Sequence, residues 1–288
     1  MKGLFVPQLT AFNNNQKVDF VATKEHAAWL LANGVSGLVP FGTFGEGSSL
    51  SLNEKKRITN DLLTITNGKA LIPTLISNSL EEICEYIEFS NTLPINAVMI
   101  SPPSYFRPIS DEKLIEFYRF VCQKSLLPVI AYSIPATAIR VSSHVAANTP
   151  VWGVKDSSSE ILSAQDFLDN KVKVLIGSDK LLIETLKLGA SGGICGFSNL
   201  FPSHMSEVYR SFVGGKIENA QSHLDSVLNF TSLFLQPNFN FAEVIAAFKA
   251  VVNLLNPVNL GEMRLPIPNF ELSEHLKSVL IDKAKEMI

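Results

Sequence analysis

Short apolar, β-branched runs recur along the chain, separated by stretches whose apolar residues return every three or four positions. The runs lie at residues 3–9, 37–41, 70–76, 97–101, 129–133, 151–155, 172–176 and 192–196. Their spacing is roughly 20 to 35 residues, the length of a strand plus a returning helix. Continuous apolar runs, as opposed to alternating ones, mark strands buried on both faces, as in a parallel sheet covered by helices. Between them, residues 20–31 predict a helix capped by Asp19, with Val21, Ala28 and Leu31 on its inner face. Residues 52–66 predict a second, with Ile58, Leu62 and Ile65 inward and Glu54, Lys55, Lys56 and Arg57 facing water. A third over 111–122 buries Leu114, Ile115, Tyr118 and Val121.

Eight such units suit a closed barrel better than an open doubly wound sheet. The expected fold is α/β: a (β/α)8 TIM barrel over residues 1–201. Residues 202–288, which read as purely helical, would supply the last barrel helix and a C-terminal extension of the same domain.

Composition narrows the function without choosing it. The chain has 288 residues, 46% hydrophobic and 18% charged, enough apolar material for a large core. Its formal charge of −3 offers no basic footprint for nucleic acid or an anionic membrane. The most apolar tail stretch, 241–255, is broken by Glu243, Lys249 and Asn253, so no membrane span is expected. The opening residues lack the apolar core and cleavage site of a signal peptide. Cys84, Cys122 and Cys195 are odd in number and far apart, and all three read as core residues. A cytoplasmic protein without disulfides is expected. No histidine falls at a predicted strand C-terminus, and no His/Asp/Glu cluster has metal-ligand spacing, so no metal is expected either.

In a (β/α)8 barrel the chemistry sits at the C-terminal ends of the strands. That places Gly42-Thr43-Phe44-Gly45-Glu46-Gly47, the loop carrying Tyr105, Tyr132, Lys155-Asp156-Ser157 and Gly177-Ser178-Asp179 around one rim. Lys155 ends an apolar strand. An amine in low dielectric loses its proton more readily and can attack a ketone or aldehyde to form a Schiff base. A lysine that snorkels to the rim, or pairs with Asp156, explains the position equally well. Tyr132, one strand earlier, is placed as a proton shuttle, or as a core aromatic bonded to backbone. The glycine-rich loop could cradle an anion with its amides, yet it is neither a dinucleotide fingerprint nor a Walker A loop. Capping of the next helix is the commoner role for an aspartate placed like Asp179.

Together, these residues resemble the dihydrodipicolinate synthase / N-acetylneuraminate lyase family of class I, pyruvate-dependent aldolases. The resemblance rests on Gly-Thr-x-Gly-Glu at 42–46, Tyr-x-x-Pro at 132–135 and Gly-Val-Lys-Asp-Ser at 153–157. Tyr105 before Arg107-Pro108, Gly177-Ser178-Asp179, and the glycines at 189–193 leading to Asn199 support it. It implies a Schiff base on Lys155 and no cofactor beyond that covalent imine. Tyr132 would relay protons, and Thr43 would link it to Tyr105. Amides of Thr43 and Phe44 would hold the pyruvate carboxylate. Ser157, Gly177, Asp179 and Ile194 would complete the substrate-binding set. The implied partners are pyruvate and a small aldehyde or 2-keto acid. In this family the tyrosine corresponding to Tyr105 reaches into the neighbouring subunit's site, which implies a homodimer or homotetramer.

Two departures shape the choice of substrate. Phe44 stands where the family usually has a second hydroxyl residue. Dihydrodipicolinate synthases also carry an arginine two residues after the Tyr-x-x-Pro proline, where this chain has Thr137; Arg140 comes three residues too late. The segment is closer to 2-keto-3-deoxygluconate aldolases, whose aldehyde is a neutral hydroxyaldehyde. A 2-keto-3-deoxy sugar acid aldolase is therefore the expected activity, with dihydrodipicolinate synthase as the alternative. A keto-acid sensor silenced by Phe44 is a third reading. A nucleotide-dependent oxidoreductase ranks below it, for want of a dinucleotide fingerprint.

Overall fold

The computed structural model describes residues 1–287. Its strands are β1 (Gly3–Val6), β2 (Gly37–Leu38), β3 (Ala70–Leu71), β4 (Thr74–Leu75), β5 (Val98–Ile100), β6 (Val129–Ser133), β7 (Gly153–Asp156), β8 (Val174–Ile176) and β9 (Gly192–Ile194). All pair in parallel in the order β3-β2-β1-β9-β8-β7-β6-β5-β4. The two end strands, β3 and β4, are halves of one stave. On one side Ile72 N–H donates to the Leu38 carbonyl; on the other the Pro73 carbonyl accepts from Met99 N–H. Pro73, with no N–H of its own, splits the ladder. The ring thus closes with eight staves, as the apolar runs predict.

Residues alternate between two cores. Phe5, Val39, Ile72, Met99, Ile130, Leu175 and Ile194 fill the barrel, while Leu4, Val6, Leu38, Val98, Ala131 and Val154 face the helices. The surrounding helices are α1 (Phe20–Ala32), α2 (Leu52–Leu63), α3 (Leu80–Asn91), α4 (Asp111–Lys124), α5 (Ser143–Ala147), α6 (Ile161–Asp169), α7 (Leu182–Lys187) and α8 (Pro202–Val213). Asp19 caps α1 through the Val21 and Ala22 amides, as expected.

The inner face of α1 differs from the expected one. Val21 is 67% exposed and Ala28 also faces solvent, while Thr23, His26, Ala27, Leu30 and Leu31 turn inward. Two of these are polar, and both find partners: Thr23 Oγ1 accepts from Ala11 N–H, and His26 bonds Asn199. A polar side chain that finds a partner can take a core position that a hydrophobic stripe does not mark. Lys55 on α2 is likewise buried, not solvated as expected. Its ammonium is held below the usual lysine range by desolvation, opposed by Glu82 and Glu54.

The tail also departs from a purely helical reading. Beyond α8 come α9 (Ile217–Thr231), α10 (Phe241–Leu255) and α11 (Glu274–Lys285), but residues 256–273 are non-helical. Pro257, Pro266 and Pro268 remove the donors a helix needs there. Among the cysteines only Cys195 is fully buried; Cys122 is half-buried and packs against the core, and Cys84 is half-buried at its edge. Among the described residues, no helix is long and apolar enough to cross a membrane.

Candidate active site

β6 and β7 place the central pair. Tyr132 and Lys155 are directly opposite one another in the ladder and both point into the barrel, as the two-residue strand period requires. Lys155 is 4% exposed, and its Nζ lies 4.2 Å from the centre of the Tyr132 ring. Among the described residues it forms no ion pair. Asp156, the next residue, points the other way and accepts from Ser158 N–H at 3.0 Å, so the Lys155–Asp156 pair is not made. The Tyr132 hydroxyl bonds the Thr43 Oγ1 at 3.1 Å, not backbone. Amine, phenol and threonine hydroxyl thus line one end of the barrel.

The turn after β2 is tight and strained. Phe41 and Glu46 both sit in the left-handed region, at φ of 65° and 51°. Such residues cost ~1 kcal/mol or more and persist where their surroundings hold them. Gly47 N–H donates to the Gly42 carbonyl, and any Cβ at Gly47 would collide with the Phe41 carbonyl. Among the described residues, the N–H groups of Thr43 and Phe44 have no acceptor, which leaves two donors free at the site. The Phe44 side chain packs between the turn after β9 and α10. A Cβ on Gly196 would fall 2.5 Å from its ring, and the ring meets Phe248 edge-on at 5.4 Å.

Asp179 is buried, and its two oxygens accept from the Gly196 and Phe197 amides at 3.1 and 3.0 Å. It therefore caps the short turn after β9 and makes no side-chain bond to the helix that follows it, contrary to the capping role expected from position. Desolvation pushes its carboxyl up to about 7, against the opposing pull of those amides and of Lys155. The thiol of Cys195 beside it is pushed well up by burial and by Asp179. Ser157 lies against Gly177, where a Cβ would strike its hydroxyl; Gly177 N–H donates to the Asp156 carbonyl at 2.7 Å. Ile194 packs in the barrel interior with Tyr132 and Leu175.

Tyr105 is not brought to these groups within one chain. It is 79% exposed beside Phe106, and its N–H donates to Asn78 Oδ1 at 3.0 Å. Arg140 does not bulge inward either; it pairs with Glu160 at 3.0 Å, and Thr137 is exposed. Sequence reasoning assigned no role to several residues around the site. Asn199 accepts from Leu9 N–H, bonds His26 Nε2, and donates to the carbonyls of Pro7 and Gly196. It thereby ties the end of β1 to the turn after β9. His26 is completely buried, and desolvation lowers it to about 4, so it is a neutral partner. Glu46 is buried in an ion pair with Lys249 of α10. Glu46 closes the Gly-Thr-x-Gly-Glu run and Asn199 follows a glycine-rich strand, but neither pattern names its partner, and His26 lies in no short motif.

Residues 1–284 match the Dihydrodipicolinate synthetase family. A 4-hydroxy-tetrahydrodipicolinate synthase of Methanocaldococcus jannaschii is 28% identical over 295 residues, covering 99% of this chain and 98% of that protein. An uncharacterised DapA-like lyase of Pyrococcus abyssi is 28% identical over 255 residues, covering 85% of this chain and 86% of that one. A dihydrodipicolinate synthase crystal structure superposes with a TM-score of 0.87 at 26% identity, covering 100% of this chain and 99% of its own. A Sulfolobus solfataricus 2-keto-3-deoxygluconate aldolase variant superposes at 0.86 with 23% identity over 99% and 96% of the two chains, a likeness of fold. With the match running through every stave of the barrel and into the tail, the chain belongs to the dihydrodipicolinate synthetase family.

Proposed function

We propose that this protein is a class I aldolase that makes or breaks the C–C bond between pyruvate and an aldehyde through a Schiff base on Lys155. The observation that carries this reading is a buried lysine without a carboxylate partner, 4.2 Å from the ring of a tyrosine whose hydroxyl is held by Thr43. The Lys155 amine adds to the C2 carbonyl of a 2-keto acid, and loss of water gives the iminium. In the cleavage direction, Tyr132 takes the proton of the C4 hydroxyl. The C3–C4 electron pair then flows into the iminium, releasing the aldehyde and leaving the enamine. Protonation at C3 and hydrolysis return pyruvate and the free amine. The iminium is the electron sink, so this scheme assigns no cofactor. The free amides of Thr43 and Phe44 suit the pyruvate carboxylate.

For the second substrate, a neutral hydroxyaldehyde fits best, making a 2-keto-3-deoxy sugar acid the cleaved substrate. Arg140 is engaged by Glu160 and Thr137 has no charge, so no guanidinium from this loop meets a second carboxylate. Ser157 and Asp179 are the groups to bond sugar hydroxyls. The second reading, condensation of pyruvate with aspartate semialdehyde, draws on the name of the Methanocaldococcus relative, which spans nearly the whole chain. The oligomer in this reading is a dimer or tetramer, and the compartment is the cytoplasm.

Borohydride added with pyruvate at neutral pH should attach one reduced pyruvate to Lys155, seen by peptide mass; an unmodified Lys155 refutes the Schiff-base mechanism. Turnover of a panel of 2-keto-3-deoxy acids, set against aspartate semialdehyde, separates the two substrates. Stabilisation by pyruvate with no turnover of either would make the protein a sensor.

A further inference from the structure

The turn that carries the two free amides is gripped from behind by the tail. The Glu46 carboxylate accepts from Lys249 Nζ at 3.0 Å through one oxygen and from the Arg264 backbone N–H at 2.9 Å through the other. Lys249 donates also to the Glu262 carbonyl at 2.8 Å and lies over the Phe12 ring at 4.5 Å. Its side chain is 2% exposed and that of Glu46 0%. One residue earlier on α10, Phe248 meets the Phe44 ring and stacks with Phe197. Between these contacts, Thr10 Oγ1 donates to the Gly45 carbonyl at 2.7 Å.

A buried ion pair is an uneconomical way to stabilise a core, since apolar residues of equal size often do as well. What it supplies is direction. Glu46 is a non-glycine residue at φ 51°, a conformation that needs fixing from outside the turn. Thr43 is fixed from the barrel side by Tyr132.

We propose that Lys249 and Phe248 of α10 are positioning residues for substrate: through Glu46 and Phe44 they fix the turn whose Thr43 and Phe44 amides receive the keto-acid carboxylate. This rests on the aldolase reading above. It also gives Phe44 a role: its ring is the apolar anchor by which Phe248 holds the turn. Lys249 touches neither substrate nor the reacting atoms, so its loss loosens the cradle and leaves Lys155 and Tyr132 in place.

The test measures borohydride trapping on the full-length protein, as the pyruvate concentration giving half-maximal modification of Lys155 and the maximal rate at saturation. Lys249→Met should raise the half-saturating concentration about tenfold, the scale of one lost anchoring hydrogen bond, with the maximal rate within about twofold. Lys249→Arg should recover most of the loss. Val227→Ala, a cavity on the buried face of α9, should lower Tm without moving the half-saturating concentration. Equal half-saturation in Lys249→Met and wild type overturns the proposal, as does a shift no larger than that of Val227→Ala at the same loss of Tm. Should Lys249→Met not fold, Glu46→Gln is read by the same criteria. Failure of the wild type to trap pyruvate refutes the aldolase reading itself, whereas a trapping wild type with an indifferent variant refutes only the role of α10.

Discussion

Two buried titratable residues near the C-terminal rim have opposite leanings. His26 is lowered from 6.5 to about 4 by desolvation, so the unfolded chain takes up its proton first as the pH falls. The stability due to neutral His26 is complete above about pH 6.5 and is lost as the pH drops through 4. Asp179 is raised from 3.8 to about 7, again chiefly by desolvation, so the folded chain keeps a proton that the unfolded one releases. Its contribution is complete below about pH 3.8 and is lost as the pH rises through 7. Between about pH 4 and 6.5 the two slopes cancel, each being about 1.4 kcal/mol per pH unit. His26→Gln should therefore show stability falling with rising pH relative to wild type across that window. Asp179→Asn should show it rising. Chemical denaturation at several pH values reads both slopes, and parallel curves for all three proteins would refute the assignment.

At the scale of elements, the staves were legible because burial on both faces writes an unbroken apolar run, and the candidate Lys155 stands out against one of them. The third stave was legible as one run from 70 to 76, although Pro73 splits its ladder into two short strands. What was illegible depends on partners distant in sequence. Nothing around residue 264 signals that its arginine lies against a loop more than two hundred residues earlier. Arg264 makes paired bonds to Glu54 at 2.7 and 3.0 Å and donates to the carbonyls of Ser49 and Gln16. Glu54 was expected on a solvated face. Its carboxyl is instead pulled below the usual range: desolvation alone would raise it, but the bonds from Arg264 and Ser51 prevail. Arg264→Met takes the guanidinium from the Ser49 and Gln16 carbonyls and leaves the Glu54 carboxylate with only the Ser51 N–H, and should cost ~2 kcal/mol at pH 7. Because the Glu54 value is depressed, that cost should shrink as the pH falls below 4.5. Denaturant midpoints at pH 7 and pH 4 check both statements; an equal cost at the two pH values would remove the ionic part.

For the molecule as a whole, one expected member of the relay is left outside the barrel of a single chain. Tyr105 and Phe106 form an exposed aromatic pair, 79% and 72% accessible, on the rim loop that follows β5. An exposed tyrosine cannot relay protons to a buried Tyr132 in its own chain unless the loop moves; the other expected source is a second subunit. The two routes are separable by mixing variants. Lys155→Ala removes the proposed nucleophile of its own site, and Tyr105→Phe removes only the phenol oxygen. If the phenol serves the neighbouring site, a mixed dimer holds one complete site: Lys155 from the Tyr105→Phe chain and Tyr105 from the Lys155→Ala chain. Random reassembly of equal amounts should then restore about a quarter of wild-type activity, since half of all dimers are mixed and each has one intact site of two. If Tyr105 serves its own chain, or none, the mixture should show only the average of the two separate variants. Sedimentation of the wild type as a dimer or larger is the precondition, and a monomer with full activity would exclude the shared relay outright.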